Sequence, residues 1–222
     1  GKGQARCANV DEARAAFQSC NATPCVLEQL LPLKLEISVV LARGFDGAIA
    51  AFPVAENQHQ NGILDISVAP ARIPDQLAAE AQNIAQRLAT KLDYCGVLAI
   101  EFFVIEDNDG NEKLLINEIA PRPHNSGHYT IDACLTSQFE QQLRAVCGLP
   151  LGDPRPLSGA VMVNLIGDLW RDGKAPPWQH VLELPHARLH LYGKDQAAAG
   201  RKMGHVLLLD DDTDRALAAA EG

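Results

Sequence analysis

The chain has 222 residues, 47% hydrophobic and 21% charged, and its 19 Lys plus Arg stand against 28 Asp plus Glu. That length suits one large or two modest domains, and a net charge of -9 disfavours a surface that coats nucleic acid while leaving room for a local cationic pocket around a small phosphate. No apolar run approaches the roughly 20 residues of a membrane span and the opening residues are not those of a secretory signal, so a soluble, cytoplasmic globular protein is expected.

Gly1-Lys2-Gly3-Gln4 opens the chain. Such a run holds backbone N–H groups and an ammonium against phosphates, or is simply a flexible terminus. Asn9 with Glu12 three residues on has the form of a capping box, and Val10, Ala13 and Phe17 are the expected buried stripe of the helix that follows. Strands are expected over Cys25–Leu31, Leu35–Ala42 and Ala48–Val54, the last two separated by the turn Gly44-Phe45-Asp46-Gly47. Glu28 and Glu36 stand out as carboxylates among apolar neighbours and read as outward-facing strand positions. Asn57 to Gly62 reads as a polar turn with His59 on the surface, and a strand follows over Ile63–Ala69. Pro74 then opens an amphipathic helix to about Leu92, with Leu77, Ala81, Ile84, Ala85, Leu88 and Leu92 on the face expected to cover the central sheet.

The centre of the chain carries the chemistry. Val97–Glu106 is rich in β-branched and aromatic residues, Asn108-Asp109-Gly110-Asn111 is a hairpin turn signal, and the apolar run from Leu114 ends in Asn117 and Glu118 before a proline-punctuated polar loop. With Asp109 and Gly110 as the central turn residues, cross-strand partners have numbers summing to 219, which pairs Phe103 with Ile116 and Glu101 with Glu118. Two carboxylates opposed on one sheet face repel unless a cation lies between them, and magnesium takes carboxylate oxygens together with phosphate oxygens. The alternative is one solvated Glu in a different register, since a slip of one residue undoes the pairing.

Ser137 with Glu140 again has the form of a capping box, and Phe139, Leu143 and Val146 mark a helix ending at Gly148. The segment 149–157 is rich in Pro and Gly and is expected to be a linker between a domain over 1–148 and a smaller one over 158–222. That smaller unit is expected to hold strands over Ala160–Ile166, Ala187–Tyr192 and His205–Leu209, a short helix around Trp178–Leu182 and a terminal helix from near Asp212. Lys194, Arg201 and Lys202 cluster before the last strand as either a solvated loop or a phosphate-reading one. The six cysteines show neither a CxxC pair nor a His at zinc spacing, so reduced, partly buried thiols are expected.

GKGQ, EQLL followed by LEISVVLARGFDG, ENQHQNGIL, the hairpin from GVLAIEFF to LLINEIAPRPHNSGH, and GRKMGH resemble, in this order, the 5-(carboxyamino)imidazole ribonucleotide synthases of the ATP-grasp superfamily. The resemblance implies an α+β ATP-grasp fold, with antiparallel sheets flanked by helices and a small C-terminal α/β domain. It implies ATP and Mg2+ as cofactors, with aminoimidazole ribonucleotide and bicarbonate as small-molecule substrates. It implies that Gly1, Lys2, Gly3 and Gln4 close over the ATP phosphates, that Glu28, Gln29, Leu30 and Leu31 meet the adenine, and that Glu36 holds the ribose while His59 contacts the nucleotide. Glu101 and Glu118 resemble the magnesium ligands and Asn117 flanks the triphosphate. Arg122, His124, Asn125 and Ser126 resemble the loop that meets bicarbonate and the aminoimidazole, and Lys194, Arg201 and Lys202 the contacts to the ribonucleotide phosphate.

Ala120 stands where many other ATP-grasp enzymes place an Asn, which fits this family better than the wider superfamily. Ala197-Ala198-Ala199 replaces a stretch where the family usually has an Arg, which bears on affinity for the substrate phosphate. The family's Rossmann-like domain and the other half of its nucleotide clamp have no counterpart here, so the chain is expected to correspond to the C-terminal part of such an enzyme, a homodimer when full length. The competing expectations are another ATP-grasp carboxylate-amine ligase of nucleotide metabolism, or a non-catalytic nucleotide-binding module.

Overall fold

The computed structural model describes residues 4–107 and 109–221, so Gly1, Lys2 and Gly3 of the expected phosphate loop, and Asn108 of the turn, lie outside the described residues. The elements follow as α1 (Val10–Ser19), β1 (Leu33–Arg43), β2 (Ile49–Ala51), β3 (Ala55–Gln60), β4 (Ile63–Ala69), α2 (Asp75–Lys91), β5 (Gly96–Glu106) and β6 (Glu112–Ala120). A 3-10 turn at Asn125–Gly127 leads to α3 (Thr130–Ala133), α4 (Gln138–Val146), β7 (Ala160–Ile166), α5 (Gln179–Leu182), β8 (Ala187–Leu191), β9 (Lys202–Leu209) and α6 (Thr213–Glu221). The described strands form one antiparallel sheet in the order β6-β5-β1-β3-β4-β7-β9-β8, with β2 beside β1. It runs without a break from the hairpin into the C-terminal strands through the β4–β7 pairing, while 149–157 forms neither helix nor strand.

Because strand side chains alternate between faces, the sheet sorts its residues by parity. Ile37, Val39 and Leu41 of β1 and Leu98, Ile100, Phe102 and Val104 of β5 pack beneath Leu77, Ala81, Ala85 and Ala89 of α2. Full burial of each large aliphatic or aromatic side chain in this layer contributes about 1.5–3 kcal/mol. On the same face α6 covers Ile66, Val68, Val161 and Val206 through Ala216 and Leu217. On the opposite face Tyr129, Ala133 and Cys134 cover Val40, Ala42, Val97 and Ala99. Towards the other end of those strands the same face turns polar, with Glu36 and Ser38 on β1 and Glu101 on β5.

Several expectations are corrected. No strand forms over Cys25–Leu31: the segment is exposed as far as Leu30, with Val26 at 84% and Leu27 at 86%, because strand-forming side chains need a paired neighbour to settle against. The strand expected over Ala48–Val54 stops at Ala51, ahead of Pro53, and the supposed polar turn at Asn57 is β3 itself. The true turn is Asn61-Gly62, both at positive φ (52° and 73°), closed by the pair Gln60–Ile63, as an Asn-Gly hairpin dipeptide should be. Helix α1 has its Asn9–Glu12 cap but buries nothing, Val10 being 66% and Phe17 45% exposed. Leu92, expected on the covered face of α2, is exposed as well. Helix α4 inverts its expected pattern: Phe139, Leu143 and Val146 are exposed and Gln138, Gln141 and Ala145 are buried, the two amides being consumed by backbone hydrogen bonds.

Candidate active site

The central hairpin sets the geometry. Glu101 pairs with Glu118 as the turn arithmetic expected, but Phe103 pairs with Leu115 and not Ile116. Asp107 and Asn111 close a longer loop, in which Asp109 and Asn111 donate backbone N–H groups to the Asp107 carboxylate, and Gly110 takes φ +82°. Up to Phe102 the partners therefore sum to 218, and a bulge between Glu101 and Phe102 adds the missing residue. A turn misplaced by half a residue and an unforeseen bulge cancel at the carboxylates.

Neighbouring strands extend this row. Ser38 pairs with Glu101 across β1–β5, Glu36 pairs with Asn57 across β1–β3, and Asn57 pairs with Ser67 across β3–β4. Beyond a bulge after Gln58, His59 places Nδ1 at 2.9 Å from Glu36 Oε2, so these two form one polar unit instead of two scattered surface groups. The loop after β6 folds over the row. His124 is buried with Nε2 at 3.3 Å from Glu101 Oε1, and Ser126 is wholly enclosed.

The charges are coupled. Burial raises the Glu101 carboxyl above its ordinary range, Glu118 and Glu36 push it further up, and His59 and Lys202 pull it down. Burial, aided by Arg122, Lys202 and His59, lowers His124 to about 4, so this imidazole is neutral at physiological pH. Lys202 is likewise lowered by burial, opposed by Glu101 and reinforced by Arg122 and Lys194. Among the described residues no three His, Cys, Asp or Glu converge on a point able to hold a metal ion. Two opposed carboxylates without further protein ligands fit magnesium nonetheless, because that ion keeps waters and takes phosphate oxygens instead of an all-protein cage.

Residues 1–139 match the family model described as ATP-grasp domain, and residues 160–219 match that of the Phosphoribosylaminoimidazole carboxylase C-terminal domain. The chain is 50% identical over 208 residues to the N5-carboxyaminoimidazole ribonucleotide synthase of Brucella melitensis, covering 93% of this chain and 55% of that one. A solved ADP complex of an N5-carboxyaminoimidazole ribonucleotide synthetase superposes with a TM-score of 0.89 at 46% identity, covering all of this chain and 56% of the other. The Aspergillus clavatus N5-carboxyaminoimidazole synthase, solved with ADP and 5-aminoimidazole ribonucleotide, superposes with a TM-score of 0.80 at 31% identity over 94% of this chain and 55% of its own. The chain belongs to the ATP-grasp superfamily, in its N5-carboxyaminoimidazole ribonucleotide synthase family. It spans about half the length of the curated relatives it matches.

The ATP-grasp site residues expected from the sequence divide into two sets. Glu36, His59, Glu101, Glu118, His124 and Lys202 act on one another's charge or touch. Arg122 is exposed beside them, its guanidinium donating to the Pro123 carbonyl, and Asn117 precedes Glu118 on the exposed edge strand. Gln4 and Glu28 to Leu30 lie exposed, and Leu31 half-buried, outside helix and strand. Asn125 exchanges hydrogen bonds with Asn164 of β7 (3.0 and 2.7 Å), which ties the loop to the C-terminal strands. Lys194 donates to the Lys202 carbonyl at the start of β9 and Arg201 to the Gln196 carbonyl of its own loop, so both are held by nearby backbone. Sequence reasoning passed over Ser38, Asn57, Ser67 and Gln138. The signal for the first two was the polar spacing of two, Glu36-x-Ser38 and Asn57-x-His59, on strands that are otherwise apolar or read as turn.

Proposed function

We propose that this chain carries the ATP- and magnesium-binding half of an enzyme that carboxylates the exocyclic amine of 5-aminoimidazole ribonucleotide with bicarbonate at the expense of ATP, a step of purine biosynthesis. The observation that carries the reading is the opposition of Glu101 and Glu118 in the β5–β6 register, with the Glu36–His59 pair beside them on the same sheet.

In this reading the exposed segment Glu28–Leu31 meets the adenine, Glu36 and His59 receive the ribose, and Asn117 and Glu118 flank the triphosphate. Glu101 and Glu118 hold magnesium, which when bound neutralises charge on the transferring phosphoryl group. Arg122, exposed at the mouth of the site, clamps the bicarbonate-derived anion as the γ-phosphoryl group passes to it to give carboxyphosphate. Lys202, half-buried and close enough to Glu101 for their charges to couple, binds the phosphate of the ribonucleotide. The solved relatives with ADP and with 5-aminoimidazole ribonucleotide support this assignment of ligands.

The test is calorimetry with Mg2+ and ATP on the intact enzyme and its Glu118→Ala variant, alongside turnover with aminoimidazole ribonucleotide and bicarbonate. Wild-type binding and turnover that both vanish in the variant are expected. Normal turnover by Glu118→Ala overturns the metal assignment, and ATPase activity stimulated by glycinamide ribonucleotide instead would assign a different ligase.

A further inference from the structure

We infer that His124 is a positioning residue locked in a single tautomer, its proton on Nε2, by a buried chain of hydrogen bonds from Ser67 through Asn57, Ser38 and Ser126. The imidazole thereby orients Glu101 and takes no proton from substrate. The orienting role rests on the reading of Glu101 as a magnesium ligand; the tautomer does not.

The chain of donors runs in one direction. Ser67, fully buried on β4, donates its hydroxyl to Asn57 Oδ1 at 2.7 Å. Asn57 donates Nδ2–H to Ser38 Oγ at 2.9 Å, and Ser38 donates to Ser126 Oγ at 2.7 Å. A serine hydroxyl has one hydrogen, and as Ser126 Oγ already accepts from Ser38, its own hydrogen is left for His124 Nδ1 at 2.9 Å. The Ser126 backbone N–H also points at Nδ1, at 3.4 Å, and a backbone N–H only donates. Nδ1 is therefore the lone-pair nitrogen whichever way the Asn57 amide is turned. The remaining proton sits on Nε2, 3.3 Å from Glu101 Oε1, and an ionised carboxylate only accepts.

The ring has no freedom to escape this arrangement. Gln138, fully buried on α4, accepts the His124 backbone N–H at 2.8 Å and donates to the His124 carbonyl at 2.7 Å, clamping the peptide on both sides. An imidazole that already accepts at Nδ1 and donates from Nε2 has no lone pair to offer a reacting group. What it does is hold one oxygen of Glu101, as residues behind a metal ligand commonly do.

The measurement is the ring 15N shifts of His124 in the full chain at neutral pH without metal, assigned against His124→Gln. The expected spectrum has a lone-pair Nδ1 and a protonated Nε2. Ser126→Ala or Ser38→Ala, each removing a hydrogen bond worth about 0.5–1.5 kcal/mol, should lower the ratio of the two tautomers by roughly three- to tenfold. A wild-type ring protonated on Nδ1, or a ratio indifferent to both substitutions in folded protein, overturns the proposal. Broadening of the same signals by Mn2+ with ADP reports the ion separately, so a missing ion and a missing lock give different spectra.

Discussion

Glu36, Glu101, Glu118 and Lys202 stand on paired strands, where hydrogen-bonded neighbours fix which way each side chain faces, whereas Glu28, Lys194 and Arg201 stand on segments without helix or strand. Even within the basic trio the difference holds. Lys202, the first residue of β9, is half-buried and its charge couples to Glu101, while Lys194 donates to the Lys202 carbonyl and Arg201 to a carbonyl of its own loop. Strand residues are therefore preorganised for ligand, and loop residues must first give up internal partners to reach one.

Removing either member of the carboxylate pair should break the site outright. Glu118→Ala or Glu101→Gln in the intact enzyme is expected to lower turnover by about a thousandfold or more, since the loss of a metal's charge stabilisation is worth several kcal/mol. Steady-state rates check this, and a loss of only a fewfold would place the ion elsewhere.

The basic trio sharpens the comparison. Lys202→Ala should raise KM for the ribonucleotide by roughly ten- to a hundredfold, the worth of a charge-assisted hydrogen bond, while Lys194→Ala changes it by less than about threefold. Equal effects at the two positions would show that the loop reorganises without penalty.

The packed half also carries a pH cost that the loops lack. Burial holds His124 and His128 at about 4 and His205 at about 3, all below the ordinary value near 6.5. These groups are neutral when folded and take up protons when unfolded, so their contribution is intact above about 6.5 and is lost as pH falls from there toward 4. Each costs roughly 1.4 kcal/mol per pH unit inside that window. Urea unfolding at pH 7 and pH 5 should show a clearly lower midpoint at pH 5, and a flat profile would contradict the burial of these rings.

The smallest effect lies away from the site. Arg72 bonds Glu56 of β3 at 2.6 Å and Asp214 of α6 at 3.0 Å, and truncating its side chain leaves the largely buried Glu56 carboxylate with only the backbone N–H of residue 72, at 3.3 Å. Arg72→Ala should cost about 1–3 kcal/mol in thermal unfolding and leave the affinity for Mg2+ and ATP unchanged. A matching fall in affinity would mean that the scaffold and the site are not separable.

The same division governs what the sequence made legible. Strand alternation and the β5–β6 hairpin placed Glu101 against Glu118, and the apolar stripe of α2 found its sheet, since both patterns are local and repeat with the period of their element. What escaped depends on partners far along the chain. Val26, Leu27, Val10 and Phe17 look like core residues by type, yet nothing among the described residues buries them. Gln138 and Gln141 look like surface and are sealed inside, because each satisfies backbone groups of a loop many positions away. His59 read as a turn residue because the Asn61-Gly62 signal was taken four residues too wide, which concealed the strand that aims it at Glu36.

Anomalous diffraction from the intact enzyme with Mn2+ and ADP tests the central claim most directly. The account predicts a manganese peak shared by Glu101 and Glu118 at coordination distances of roughly 2.0–2.6 Å, with the ADP phosphates completing the shell. A peak that touches neither carboxylate, with ADP in place, would contradict it.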